Sequence, residues 1–149
     1  MKEELVSFST AKLAKEKGFN WKVLDTFASD GMPVSRYAVN EDGLESYITT
    51  GDEDYLEEVM ELSNSEMQSD FVARPTQSLL QKWLRDEYKI YVTTLLSYKD
   101  NKFVKDSFFC EISKESSLKQ FVGEYGISEC FKTYEEALEF GLKEALEML

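Results

Sequence analysis

The chain has 149 residues, 42% hydrophobic and 13% aromatic, enough for one domain with a real core and too short for two comfortable ones. It carries 29 acidic and 17 basic residues, a formal net charge of −12, and no histidine. Without imidazole there is no Ser–His–Asp or Cys–His catalysis and no His-ligated zinc, and two cysteines are too few for a structural zinc site.

In chain order, Ser7 to Lys17 reads as a first helix. Ser7 caps it, Phe8, Ala11, Leu13 and Ala14 supply an apolar side, and Gly18 ends it in the left-handed conformation. Two short strands follow, Trp21 to Phe27 and Pro33 to Val39, around the turn Ser29-Asp30-Gly31. Pro33 confines its strand to an edge or an end, because proline has no N–H for a ladder. Residues 40–70 read as an insertion. Within it, Tyr55, Leu56, Val59 and Met60 lie at helical spacing behind Asp52, Glu53 and Asp54, and Ser63 to Asp70 reads as a loop.

Pro75 and Thr76 mark the start of an amphipathic helix whose apolar face is Leu79, Leu80, Trp83 and Leu84. The alternation of Tyr88, Ile90, Val92, Thr94, Leu96 and Tyr98 then predicts a strand with those residues on one face. Lys99-Asp100-Asn101 is the turn, and Lys102 to Ile112 is the return strand, with Val104, Phe108, Cys110 and Ile112 on one side. A short helix is expected over Ser116 to Val122 and a third short strand over Ile127 to Lys132.

The last segment opens on a capping box, Thr133-Tyr134-Glu135-Glu136, in which Thr133 and Glu136 serve each other's backbone N–H groups. Its apolar stripe contains a ladder of small residues, Ala137, Gly141 and Ala145, which predicts close approach to a sheet. Phe140 and Met148 lie off that stripe, where they could support self-association.

The charge is unevenly placed. Residues 40–70 hold eleven of the acids and no base. Residues 72–105 hold seven bases (Arg74, Lys82, Arg85, Lys89, Lys99, Lys102, Lys105) against three acids, and the last helix is acidic again.

These elements predict an α+β fold: one domain over residues 1–149, with an antiparallel sheet of three to five strands, two main helices on one face, and an acidic helical insertion at about 40–70. The order helix, strand, strand, short strand, helix is shared by double-stranded-RNA-binding domains and by antitoxins with a similar partial sheet. Three blocks, Ser7 to Phe19, Pro75 to Arg85 and Tyr134 to Leu146, about a quarter of the chain, resemble small uncharacterised proteins of Bacteroides-type gut bacteria and their phages or prophages. That resemblance implies a mobile-element origin and transfers no activity or catalytic residue.

No glycine-rich phosphate loop is present, and Gly126-Ile127-Ser128-Glu129-Cys130 lacks the final glycine and the base of a nucleophile elbow. A calcium loop opening at Asp52 would need glycine where Glu57 stands. No spacing pairs two carboxylates for acid–base work, so an enzyme, a metal site and a cofactor are not expected. The opening Met1-Lys2-Glu3-Glu4-Leu5 lacks the apolar core of a signal peptide and no apolar run is long enough to span a membrane, so a cytoplasmic protein with two half-buried free cysteines is expected.

The function expected is therefore a macromolecule-binding accessory protein whose acidic surface, Asp52, Glu53, Asp54, Glu57, Glu58 and Glu61, faces a basic region of a protein partner. The alternative is a nucleic-acid-binding module built on the helix–sheet–helix order. Against it, Lys132 at the start of the last helix is followed by Glu135 and Glu136, which repel phosphate.

Overall fold

The first helix forms where its caps place it. α1 spans Phe8–Glu16, and the Ser7 hydroxyl accepts a hydrogen bond from the Thr10 backbone N–H. At the other end Gly18 takes φ 91°. Its N–H donates to the Lys15 carbonyl and that of Phe19 donates to Ala14, the two bonds of a Schellman closure.

The computed structural model describes residues 3–34, 36–39, 45–48, 61–67, 69–100, 102–114 and 130–149. The fold is α+β, and every described strand pair is antiparallel. Backbone contacts divide the chain into two units, Leu5–Thr76 and Gln77–Leu149, the latter joined by the residues up to Glu4.

In the unit Leu5–Thr76, α1 is followed by β1 (Thr26–Phe27), β2 (Pro33–Val34), β3 (Arg36–Val39), β4 (Glu45–Ile48) and β5 (Val72–Ala73). β1 pairs with β2 across the predicted turn, where Gly31 has φ 82° and the Asp30 carboxylate accepts from the Met32 N–H. β5 takes the other side of β1, so the sheet order is β2-β1-β5 and Pro33 lies on an edge strand. β3 and β4 form a separate pair, from Arg36 opposite Ile48 to Val39 opposite Glu45.

The core of this unit includes Val6, Ala11, Ala14, Phe19, Phe27 and Val72. Phe27 meets the Phe8 ring edge-on at 5.2 Å and lies under the Arg74 guanidinium at 4.6 Å. Lys15, in the last turn of α1, donates to the carbonyls of Ser69 and Phe71. The predicted helix over 52–62 lies outside the described residues except at its end. There Leu62 pairs with Val23 as an isolated antiparallel bridge, so that residue is extended.

Polar side chains replace missing ladder bonds at the 63–66 turn. Asn64 donates to the Phe19 carbonyl at 2.7 Å and accepts from the Ala73 N–H at 2.9 Å. Ala73 is fully buried, so losing that acceptor strands a buried donor. Asn64→Ala is expected to destabilise this unit by about 2 kcal/mol, and Asn64→Asp is expected to recover little of that, because it keeps the acceptor for Ala73 but sets a carboxylate oxygen against the Phe19 carbonyl. Urea unfolding checks this; an unchanged midpoint for the alanine variant contradicts it.

In the same turn Glu66 accepts from the Ser63 backbone N–H and hydroxyl and pairs with Lys22 at 3.3 Å. Those hydrogen bonds, with Lys22 behind them, hold its carboxyl below the ordinary value of 4.5. A lowered carboxylate contributes stability that is present above its unfolded pKa and lost as the pH falls through the folded value. Wild type is therefore expected to lose stability more steeply than Glu66→Gln between neutral pH and pH about 3. Parallel curves of denaturation midpoint against pH would contradict it.

The unit Gln77–Leu149 contains α2 (Gln77–Tyr88), β6 (Ile90–Lys99), β7 (Lys102–Lys114) and α3 (Tyr134–Glu147). α2 and α3 pack on the β6–β7 hairpin and on each other. The core is built from Leu80, Trp83 and Leu84 of α2, Ile90 and Val92 of β6, Cys110 and Ile112 of β7, and Ala137, Leu138, Leu142, Ala145 and Leu146 of α3. Two α2 glutamines tie the layers together. Gln77 donates to the Glu135 carbonyl and to Glu139, and Gln81 donates to the Val92 carbonyl at 2.6 Å.

Several details depart from the sequence reading. Tyr88 ends α2 instead of opening the strand, because Lys89 at φ 55° breaks the helix one residue later. Thr133 accepts from the Glu136 N–H as expected, but the Glu136 carboxylate reaches the N–H of Lys132, one residue before the capping-box position. Phe140 is half-buried, its ring 5.1 Å from that of Phe131. Cys110 is buried and Cys130 exposed, neither in a disulfide. The expected helix over 116–122 lies outside the described residues. Of the third strand, Phe131 makes an isolated antiparallel bridge to Phe108.

Candidate functional site

Of the acidic residues expected to meet a partner, Asp52, Glu53, Asp54, Glu57 and Glu58 lie outside the described residues, and Glu61 is exposed. Arg74 covers Phe27, Arg85 sits 3.3 Å from Asp86, and Lys89 donates to the Asp86 carbonyl. Lys99, Lys102 and Lys105 stay together, at the far end of the β6–β7 hairpin.

The geometry there follows from a fault in the ladder. Pairing is regular from Ile90 opposite Lys114 to Leu96 opposite Phe108, then resumes with Tyr98 opposite Phe103 and Lys99 opposite Lys102. One residue of β6, Ser97, thus spans four of β7, Val104 to Ser107, and Asp106 turns the chain at φ 52°. Three extra residues is an odd number, so the inward–outward alternation of β7 flips at the bulge. Val104 therefore leaves the face of Phe108, Cys110 and Ile112, where its spacing had placed it, and is 38% exposed. Phe103 takes the place opposite Tyr98.

The two rings meet edge to face at 5.2 Å, with Tyr98 59% and Phe103 70% exposed. Beside them the bulge opens a groove of about 750 Å³ lined by Leu95, Leu96, Tyr98, Phe103, Val104 and Phe109. Ser107 donates to the Ser97 hydroxyl at 3.0 Å, and that hydroxyl lies 3.4 Å from the Cys130 sulfur, which gives the groove one polar wall. Lys99 lies at its rim. Among the described residues no ion pair engages Lys99, Lys102 or Lys105.

This surface was missed from the sequence, although a signal was present. An aromatic residue flanks the turn on each side, Tyr98-Lys99-Asp100-Asn101-Lys102-Phe103, where a solvated hairpin end needs none.

Chemically the groove offers apolar contact, two hydroxyls, a thiol and cationic rims. Among the described residues that line it there is no carboxylate pair and no general base beside a nucleophile. Among the described residues no cluster of three or more Asp, Glu or Cys is placed to hold a metal, and no helix is long and apolar enough to cross a membrane. No protein-family model matches the chain, and no curated protein or solved structure matches it either.

Proposed function

We propose that this chain is a non-enzymatic binding protein, an accessory factor of phage or prophage origin, that acts by holding another protein. The observation that carries the reading is the end of the β6–β7 hairpin, where Tyr98, Phe103 and Val104 are left in water beside an apolar groove. Exposed rings of this size cost stability and solubility, and contiguous apolar surface of this kind marks interaction sites. The mobile-element origin rests on the three helical blocks that resemble phage and prophage proteins. The acid-rich 40–70 segment supports the same reading, since a strong local field speeds encounter and selects partners.

The test is affinity capture from nuclease-treated host lysate with wild type, Phe103→Ser, and a variant with Asp52, Glu53, Asp54, Glu57 and Glu58 changed to their amides. A protein retained by wild type and lost by either variant supports the reading. Loss only in the amide variant assigns the contact to the acidic segment. Equal capture by all three, or no capture, contradicts it.

A nucleic-acid-binding reading has one observation in its favour, three lysines without ion-pair partners among the described residues, beside two exposed rings. Asp100 and Asp106 interrupt those lysines, and the chain as a whole carries −12, which opposes a polyanion.

A further inference from the structure

We infer that the groove at the end of the β6–β7 hairpin takes an extended peptide segment of the partner, with an apolar side chain seated against Tyr98 and Phe103 and carboxylates on either side of it. This rests on the binding-protein reading and names the surface and the partner chemistry that it needs.

Three features choose the occupant. The first is charge. Lys99 and Lys102 are directly opposite each other across the turn, with Lys105 in the bulge, and cross-strand like charges destabilise a hairpin. In a chain with 29 acids these lysines have no ion-pair partner among the described residues. A flanking carboxylate on the bound segment relieves that repulsion. A second copy of this chain docked end to end would double it, which disfavours a symmetric dimer through this surface.

The second feature is the density of positive charge. Asp100 and Asp106 lie among the three lysines, so the rim suits a few discrete carboxylates better than a continuous phosphate backbone. The third is shape. The groove is apolar and open along the hairpin, with hydrogen-bonding capacity on one wall from Ser97 and Ser107. An aromatic or leucine anchor fits such a site as a buried hot spot, and a hydroxyl wall can meet the backbone of an extended segment.

The experiment is selection of random twelve-residue peptides on the immobilised full chain, followed by fluorescence anisotropy of the enriched peptides. Enriched peptides are expected to carry an aromatic or leucine residue flanked by Asp or Glu. Phe103→Ser is expected to weaken them about thirtyfold, the effect of losing one hot-spot side chain. Lys99→Glu with Lys102→Glu should weaken them about tenfold, and added salt should reduce wild-type binding while leaving that variant little changed. All three positions are exposed, and an unchanged circular dichroism spectrum and melting temperature confirm that each variant folds.

Peptides with no excess of acids, or that bind Phe103→Ser as tightly as wild type, overturn the inference. So does a fluorescent twenty-nucleotide oligo(dT) that binds more tightly than any selected peptide. If lysate capture survives Phe103→Ser and is lost in the amide variant, the binding-protein reading stands and this site falls. If wild type itself captures nothing, the broader reading falls on its own.

Discussion

Gly141→Leu is expected to lower stability by about 3 kcal/mol or more, and the melting temperature by about 10 °C. Gly141 lies in the ladder Ala137, Gly141, Ala145, whose two alanines are fully buried against the hairpin. A Cβ built on Gly141 would lie 2.7 Å from Val92 Cγ1 and 3.0 Å from both Cβ and Sγ of Cys110. The first atom of any side chain already collides with β6 and β7, and a leucine adds three more carbons where there is no space. Relief requires α3 to lift from the sheet, which opens voids beneath its leucines. The glycine costs its helix about 1 kcal/mol of propensity relative to alanine, and close packing offsets that cost. Gly141→Ala should fall between wild type and leucine, because Val92 can rotate but a buried Cys110 has little room. A leucine variant that melts with wild type would contradict this account.

Trp83→Ala is expected to cost about 3 to 5 kcal/mol. Trp83 is 3% exposed, and its ring meets Tyr88 edge to face at 5.1 Å. Removing the indole leaves a large cavity beside Leu80 and Leu84 in a small core, and the helix carrying it is held at Gln77 and Gln81 by side-chain bonds that resist collapse. Trp83→Phe should recover most of the loss, since it keeps an aromatic ring in the site. Lys82→Ala, one residue away and exposed, should lie within about 0.5 kcal/mol of wild type. Equilibrium denaturation followed by far-ultraviolet circular dichroism separates the three, and a Trp83→Ala midpoint equal to that of Lys82→Ala would defeat the argument.

Neither core position tests the hairpin end. Tyr98 and Phe103 hold little of the fold, so substitutions there are expected to change binding with the melting temperature within a degree or two. A protein in which stability and partner capture fail at different residues is what a rigid scaffold with a projecting contact surface should give.

The features legible in the chain's own pattern are local. The Ser7 cap, the Gly18 closure, the Thr133 cap and the buried stripes of α2 and α3 each depend on residues within a few positions of one another, so composition and spacing reveal them. The β6–β7 pair was equally legible along its regular length, because alternation repeats there often enough to be recognised.

The remaining features depend on contacts between segments far apart in the chain. β5 is two residues long and pairs with β1 from far along the chain, and the Val23–Leu62 bridge joins equally distant segments, so neither carries a periodic signal. Asn64 reads as an ordinary loop residue until the Phe19 carbonyl and the Ala73 N–H arrive beside it. The hairpin end was misread for a related reason. Strand alternation has period two, and the three unpaired residues of the bulge invert it, so Val104 and Phe103 exchange faces with no change in local propensity. An odd insertion in one strand is visible only against the other strand. That is why the core could be read from the sequence and the surface that defines the candidate site could not.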